Sequence, residues 1–302
     1  MQDNHSPISS CHKVDLDNCS TEPIHRPGSI QPHGVFLALD ATSGVILQIS
    51  ENCQEHLERP AESLLGQSIE SLTPAEANGL LQAALQSDNW RKTNPIARAF
   101  HTTDSLKFFN GIIHRSDVSV ILELEPKAHQ DMIDFPSYYH NVRESILSLQ
   151  NTRTIDEACA AVVAQVRRLC GYDRVDLYKF DADWNGNVIA ESRSSTMDSY
   201  LYQRFPAGDI PERARRLYAL NWLRLIVTAD YVPSRIVPEN NPRTGRPLDL
   251  SFSTLRSFSP VHLQYLRAQS QNPGALVFHH GTERAHGWTD GFALSMCPPR
   301  PF

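Results

Sequence analysis

The stretch Pro23-Ile-His-Arg-Pro-Gly-Ser-Ile-Gln-Pro-His-Gly34 limits this chain more than any other part of it. Proline fixes φ and removes a backbone donor, and the three prolines and two glycines here bar a helix. The segment must cross the molecule extended, punctuated by turns. Ahead of it, residues 1–18 are polar and are expected to fray.

Regular structure is expected directly afterwards. Val35–Leu39 and Val45–Ile49 read as strands around a turn at Gly44, short helices are expected at Ala61–Leu65 and Pro74–Leu85, and Pro95–His101, Lys107–His114 and Val118–Glu125 read as three further strands. This strand pair, helices, three-strand order resembles a PAS domain and places a first domain over residues 19–130. A polar junction, Lys127–Pro136, leads to a helix over Ser137–Leu149. The next helix has a start signal, because Thr154 can cap it and Glu157 can close a capping box. Ile155, Ala158, Cys159, Val162, Val163, Val166, Leu169 and Cys170 keep the 3.6-residue period, and Gly171 ends it. Arg174–Phe180 and Asn187–Ser192 read as strands, Pro211–Leu220 as a helix, Leu223–Thr228 as a strand and Pro260–Arg267 as a helix. Residues 232–249 form a Pro/Arg/Asn/Gly-rich loop, long enough to suggest function. This second domain, over 137–302, looks like a GAF domain. The fold class is therefore α+β, with antiparallel sheets and flanking helices.

Composition closes off several function classes. A length of 302 residues fits two domains, and a net charge of -6 argues against nucleic acid or an anionic membrane as a partner. No apolar run reaches 18 residues and no signal-like segment opens the chain, so cytoplasm is the expected compartment. The six cysteines form no CxxC pair, so no metal site is expected. Cys159 and Cys170 are expected to pack as small hydrophobes. Cys19 stands apart, in the polar run Asp17-Asn-Cys-Ser-Thr-Glu22.

Four segments taken in order carry a specific resemblance: Cys19 through Pro23–Gly34; Gly171-Tyr-Asp-Arg-Val-Asp-Leu-Tyr-Lys-Phe180; Arg204-Phe-Pro-Ala-Gly-Asp-Ile-Pro211; and Leu255-Arg-Ser-Phe-Ser-Pro-Val-His-Leu-Gln-Tyr-Leu266. Over residues 15–267 the chain resembles the chromophore-binding front end of a bacteriophytochrome. In relatives that attach their bilin within the GAF domain, the cysteine precedes the pocket histidine. That place is Val261 here, before His262. The resemblance therefore implies attachment of biliverdin IXα by a thioether at Cys19. It also implies a figure-of-eight knot at the domain junction, with the segment around Ile30 threaded through a lasso for which 232–249 is the candidate.

The implied pocket suits a long, flat acid. Arg224 and Arg256 are the implied partners of two propionates, since a guanidinium matches a carboxylate bidentately, and Tyr218 and Ser259 add donors. Asp209, Ile210 and Pro211 form the pocket turn, with the Asp209 carbonyl and His262 facing the bilin nitrogens. Tyr178, Phe205 and Tyr265 complete the wall. The implied function is red/far-red sensing by bilin isomerisation, normally relayed to a PHY and histidine-kinase output that this sequence does not contain. No catalytic residues are expected: Ser259, His262 and Asp209 lack a nucleophile elbow. A homodimer is expected, and the signalling partner is unknown. The alternative is a bilin-free PAS–GAF interaction or dimerisation module, the relic of a truncated receptor.

Two departures from the family stand out. Gly208 replaces a serine, loosening the pocket turn. After Arg267 the sequence loses the family's pattern: the expected pocket histidine would fall near Phe292, and His279 and His280 come about twelve residues early. An altered reading frame near residue 268 is favoured over a deletion. The expectation is a second domain divergent or incomplete after 267, a sheet short of central strands and a pocket short of one wall.

Overall fold

The computed structural model describes residues 23–74, 94–103, 105–127, 135–209, 212–220, 223–269, 275–284 and 287–297. Cys19, Ile210, Pro211 and, Pro74 aside, the helix expected over Pro74–Leu85 lie outside them.

The first sheet explains itself from one strand. β2 (Val35–Asp40) is apolar over five consecutive residues and buried along all of them. A strand buried on one face alternates; a continuous apolar run needs cover on both. Val35, Leu37 and Leu39 turn into a core completed by the short helices α1 (Cys53–Leu57) and α2 (Ala61–Leu64) and by Phe100, Phe109 and Leu122. Phe36 and Ala38 turn to the opposite face. There they meet Ile30, Ile121, Ile236, Leu248, Leu250 and Leu255, several of them nearly two hundred residues or more away in sequence. β3 (Ile46–Ser50), β4 (Ile96–His101), β5 (Leu106–Ser116) and β6 (Ser119–Pro126) complete the five expected strands of the first domain.

Two more strands join this sheet. β1 (Ser29–Ile30) lies in the Pro/Gly segment, and β11 (Ser234–Val237) lies inside the 232–249 stretch read as a loop. The order is β1-β11-β3-β2-β6-β5-β4. β11 has four residues between Pro233 and Pro238, too short for any periodic signal; the edge of β3 recruits it.

The Pro/Gly segment is held from both sides by residues of the second domain. Ile30 pairs with Ser234 on one side and bridges to Arg256 on the other. Gln31 N donates to Leu255 O at 2.7 Å, Ser257 N donates to Ser29 O at 3.1 Å, and Leu250 N donates to His25 O at 2.8 Å. The Gln31 side chain closes the clasp, its amide donating to Leu225 O at 2.9 Å and accepting from Val227 N at 3.4 Å. Gly34 must stay glycine: a Cβ would sit 2.7 Å from Leu124 O and 2.8 Å from a Leu255 methyl.

The second domain opens with two helices, α3 (Phe135–Gln150) and α4 (Ile155–Cys170). The start signal of α4 holds: Thr154 Oγ1 accepts from Glu157 N at 3.1 Å, and Glu157 Oε2 accepts from Arg153 N at 2.7 Å. Gly171, at φ +70°, ends it. Cys159 packs into the core as expected, but Cys170 does not: it is exposed at the last residue of the helix.

The second sheet runs β10-β12-β13-β7-β8-β9, antiparallel throughout. Its members are β7 (Arg174–Phe180), β8 (Gly186–Arg193), β9 (Arg204–Phe205), β10 (Leu223–Ile226), β12 (Ala275–Arg284) and β13 (Gly287–Cys297). This overturns the expectation that the sheet lacks central strands after residue 267. β12 and β13 form a hairpin that fills the centre, with Ala293 opposite Tyr178 and His279 opposite Ala293. The short apolar run Leu276-Val-Phe and the alternation in Phe292-Ala-Leu-Ser-Met are strand patterns. α5 (Glu212–Leu220) and α6 (Pro260–Gln269) flank the sheet.

Candidate functional site

β7 sorts its side chains by alternation. Val175 and Leu177 face α4, packing with Cys159 and Val163. Arg174, Asp176 and Tyr178 therefore face the other way. On that face Tyr178 meets Phe205 edge-on, with centroids 5.6 Å apart, and Phe205 meets Tyr200 the same way at 6.1 Å. T-shaped pairs place positive ring edges against negative faces. Tyr178 and Phe205, singled out from sequence, are thus brought together, and both are half-buried. Tyr200 was missed; it sits in a turn-rich segment with no periodic signal.

The entry to α6 supplies the polar members. Tyr231 Oη accepts from Phe258 N at 2.8 Å, fixing the chain just before the helix. The Phe258 ring stacks on His262 at 5.6 Å and 20°. One turn of α6 puts His262 beside Ser259, and Leu263 anchors the helix against Ala229 and Tyr231. Tyr231 and Phe258 were also missed, since each reads as an ordinary core aromatic.

Arg256 is buried, and Ser253 Oγ accepts from its backbone N at 3.1 Å. Its Nη1 donates to Ile24 O at 2.6 Å. A residue singled out for a pocket thus holds the N-terminal segment through its guanidinium. For Asp209, Tyr218, Arg224 and Tyr265 the backbone is described and the side chains are not: Asp209 closes a 3₁₀ turn (Ala207–Asp209), Tyr218 lies in α5, Arg224 in β10 and Tyr265 in α6. Gly208 is in open space, where a Cβ would meet nothing within 4 Å.

The contacts described form three local groups: rings paired along β7, a histidine and a hydroxyl at the start of α6, and a buried arginine beside the incoming chain. Among the described residues no cluster of His, Cys, Asp or Glu could hold a metal ion, and no helix is long and apolar enough to cross a membrane.

The PAS-fold family matches residues 19–127. Cyanobacterial phytochrome B of Nostoc sp. is 45% identical over 255 residues, covering 84% of this chain and 34% of that protein. The bacteriophytochrome of Pseudomonas aeruginosa is 38% identical over 259 residues, covering 86% of this chain and 34% of that protein. The chain thus spans about a third of the length of the curated relatives it matches. Among solved structures, the wild-type chromophore-binding domain of phytochrome P1 from Stigmatella aurantiaca superposes with a TM-score of 0.84 at 42% identity, covering 93% of this chain and 90% of that one. The chromophore-binding domain of an unusual bacteriophytochrome from R. palustris gives 0.84 at 39%, covering 94% and 91%. With most of two solved relatives covered at this identity, the chain belongs to the phytochrome family and has the PAS–GAF fold of a bacteriophytochrome chromophore-binding domain.

Proposed function

We propose that this chain is a light-sensing module that binds biliverdin IXα covalently through Cys19. The observation that carries the reading is the contact between Arg256 Nη1 and Ile24 O. It fixes the main chain five residues after Cys19 against a residue of the second domain. Five residues span at most about 18 Å, so Cys19 can reach the face where Phe258, Ser259 and His262 stand.

The residues divide the remaining tasks. Cys19 supplies the thiol sulfur for the thioether. Tyr178 and Phe205 form a wall against which a planar ring can lie. Ser259 and His262 offer a hydroxyl and an imidazole to polar edges, and Arg224 and Arg256 offer guanidinium groups to two propionates. The Asp209 carbonyl accepts from ring N–H groups, and Ile210, Pro211, Tyr218 and Tyr265 close the pocket. When bound, the bilin supplies the red absorption and the methine-bridge isomerisation. The protein's part is to exclude water and to hold the surroundings in one of two arrangements. In this reading the change is passed on to a signalling output, and we assign the described residues no catalysis of their own.

A second copy of the chain is the proposed partner. Tyr139, Ile146 and Leu147 of α3 and Leu169 of α4 are exposed apolar side chains on adjoining helices, which suits a helix-to-helix dimer. Sedimentation at micromolar concentration should give twice the monomer mass; a monomer removes the dimer and leaves the chromophore site standing.

The function is tested by adding biliverdin to the purified chain and recording absorption before and after red light, with zinc-induced fluorescence of the denatured band. A red-absorbing band that bleaches reversibly, with a fluorescent band lost in Cys19→Ala, is the expected result. A folded protein that stays colourless overturns the reading in favour of a bilin-free interaction module.

A further inference from the structure

Directly behind the aromatic wall lies a group of buried charges that none of the tasks above uses. Asp176 lies on β7 between Arg174 and Tyr178, on the same face as both, and is 3% exposed. Its register partner on β8 is Glu191, and on β13 Ser295. Glu191 is richly bonded: it accepts from Ser199 Oγ at 2.6 Å, Tyr200 N at 2.9 Å and Arg193 Nε at 3.2 Å, and Arg174 Nε is 3.5 Å away. Asp176 has the opposite environment. Its Oδ1 is buried with no hydrogen-bond partner among the described residues, and its Oδ2 is 3.9 Å from Arg174 Nε. Two carboxyls this close and this buried do not both ionise readily.

The same arginine reaches the wall. The Arg174 guanidinium carbon stands 3.8 Å over the centre of the Tyr200 ring, and its Nη2 also donates to Asp198 O. From Tyr200 the contacts run through Phe205 to Tyr178 and so return to β7. Arg174, Tyr200, Phe205 and Tyr178 thus make an arc whose two ends flank Asp176 on the strand. Glu191 holds the other side of Tyr200 by its backbone N–H.

We propose that Asp176 holds a proton beside Glu191, and that its loss draws Arg174 from the Tyr200 ring and shifts the Phe205–Tyr178 wall. While the proton is present, Arg174 faces one carboxylate and stacks on Tyr200. Once it leaves, a second carboxylate competes for the same guanidinium. Burial and the Glu191 charge push the Asp176 carboxyl up to about 7, against the pull of Arg174. Among the described side chains, the charged and titratable groups around it are Arg174 on β7, Glu191 and Arg193 on β8, and Tyr200 in the segment that follows. Asp176 and Glu191 act as positioning residues, and the inference rests on the reading that Tyr178 and Phe205 face the bilin.

Two measurements separate this inference from that reading. In the first, infrared spectra of the chain without chromophore are titrated with pH. A protonated-carboxyl stretch should vanish as one proton leaves at about 7, together with a change in the near-ultraviolet circular dichroism of tyrosine. Both changes should be missing in Asp176→Asn, and the wild-type titration decides even if that variant misfolds. A carboxyl that stays protonated across the range, or is ionised throughout, overturns the proton on Asp176. A titrating carboxyl with no tyrosine response overturns the link to the wall. In the second, the chain assembled with biliverdin is titrated in the dark. Its red band should shift through the same transition in wild type and stay fixed in Asp176→Asn. An unaltered transition in the variant belongs to another group, such as His262, and overturns the inference. A colourless protein that still shows the first set of changes refutes only the bilin reading.

Discussion

The seam between the two domains and the aromatic wall of the second are built by opposite means. At the seam, buried polar groups meet partners placed by the backbone. Glu123 accepts from Ser253 Oγ, Thr254 N and Leu255 N at 2.8, 3.1 and 2.6 Å. Asn52 N donates to Ser234 Oγ at 3.0 Å, and Asn241 Nδ2 donates to Ser119 Oγ at 3.0 Å. At the wall, half-buried rings touch edge to face with few fixed directions. Directional bonds in a dry place have one good geometry, and an unmet partner there is costly. Rings in contact can slide and re-pack for less. The lesson is that the seam sets where the N-terminal chain lies, while the wall keeps the freedom that a switching site needs.

Changes at the seam should therefore cost more than changes at the wall, and four substitutions test this in falling order. Glu123→Ala leaves several buried donors unmet and should remove about 4 kcal/mol from unfolding stability, measured by denaturant titration; a loss no larger than that of Phe205→Leu would break the comparison. Gly34→Ala forces a Cβ against Leu124 O and Leu255 and should cost about 3 kcal/mol. Hydrogen exchange around residues 29–31 should rise in that variant, and unchanged protection there would mean the clasp does not depend on this close approach.

His114 sharpens the comparison through pH. It lies on β5 beside Glu123, with Nδ1 3.5 Å from Oε1, and burial lowers its pKa from 6.5 to about 4. A depressed folded-state value means the contribution is present above 6.5 and is lost as pH falls through 4, because the unfolded chain takes up a proton that the folded chain refuses. Burial pushes the Glu123 carboxyl up as well, so the seam disfavours charge on either group. The stability of His114→Gln should accordingly fall less than that of wild type between pH 6.5 and 4, and parallel curves would remove His114 as the cause. At the wall, Phe205→Leu keeps an apolar side chain and should cost under about 1.5 kcal/mol while altering the absorption of the chromophore-bound protein. Equal spectra with equal stability would show that the wall does not meet the chromophore.

The sequence made the strands and α4 legible because alternation, the 3.6-residue period and capping are local signals. Val35–Leu39 even carried its double burial on its face, as an apolar run with no polar break. The seam was legible only as a family expectation, since Gln31 and Leu225, or Glu123 and Leu255, are joined by topology and not by pattern. β11 was hidden for the same reason: four residues between prolines become a strand only against the edge of β3. Among the site residues, Tyr178, Phe205, Ser259, His262 and Arg256 came from motif position, while Tyr200 and Tyr231 sit in turns where neither period nor motif marks them. Asp176 was in plain view on the same strand face as Tyr178, yet a charged residue in a strand reads as solvent-facing until its neighbours are known. The hairpin after residue 267 differs: Leu276-Val-Phe and Phe292-Ala-Leu-Ser-Met carry local strand patterns, but the displaced His279 and His280 break the family motif that would have marked them.

The central claim is that the clasped N-terminal segment delivers Cys19 to the second domain, and peptide mass spectrometry of the biliverdin-treated chain tests it most directly. The account predicts a bilin adduct on the peptide that carries Cys19, formed in wild type and lost when Glu123→Ala loosens the seam. An adduct on Cys53, Cys159 or Cys170, or a coloured protein with an unmodified Cys19 peptide, would contradict it.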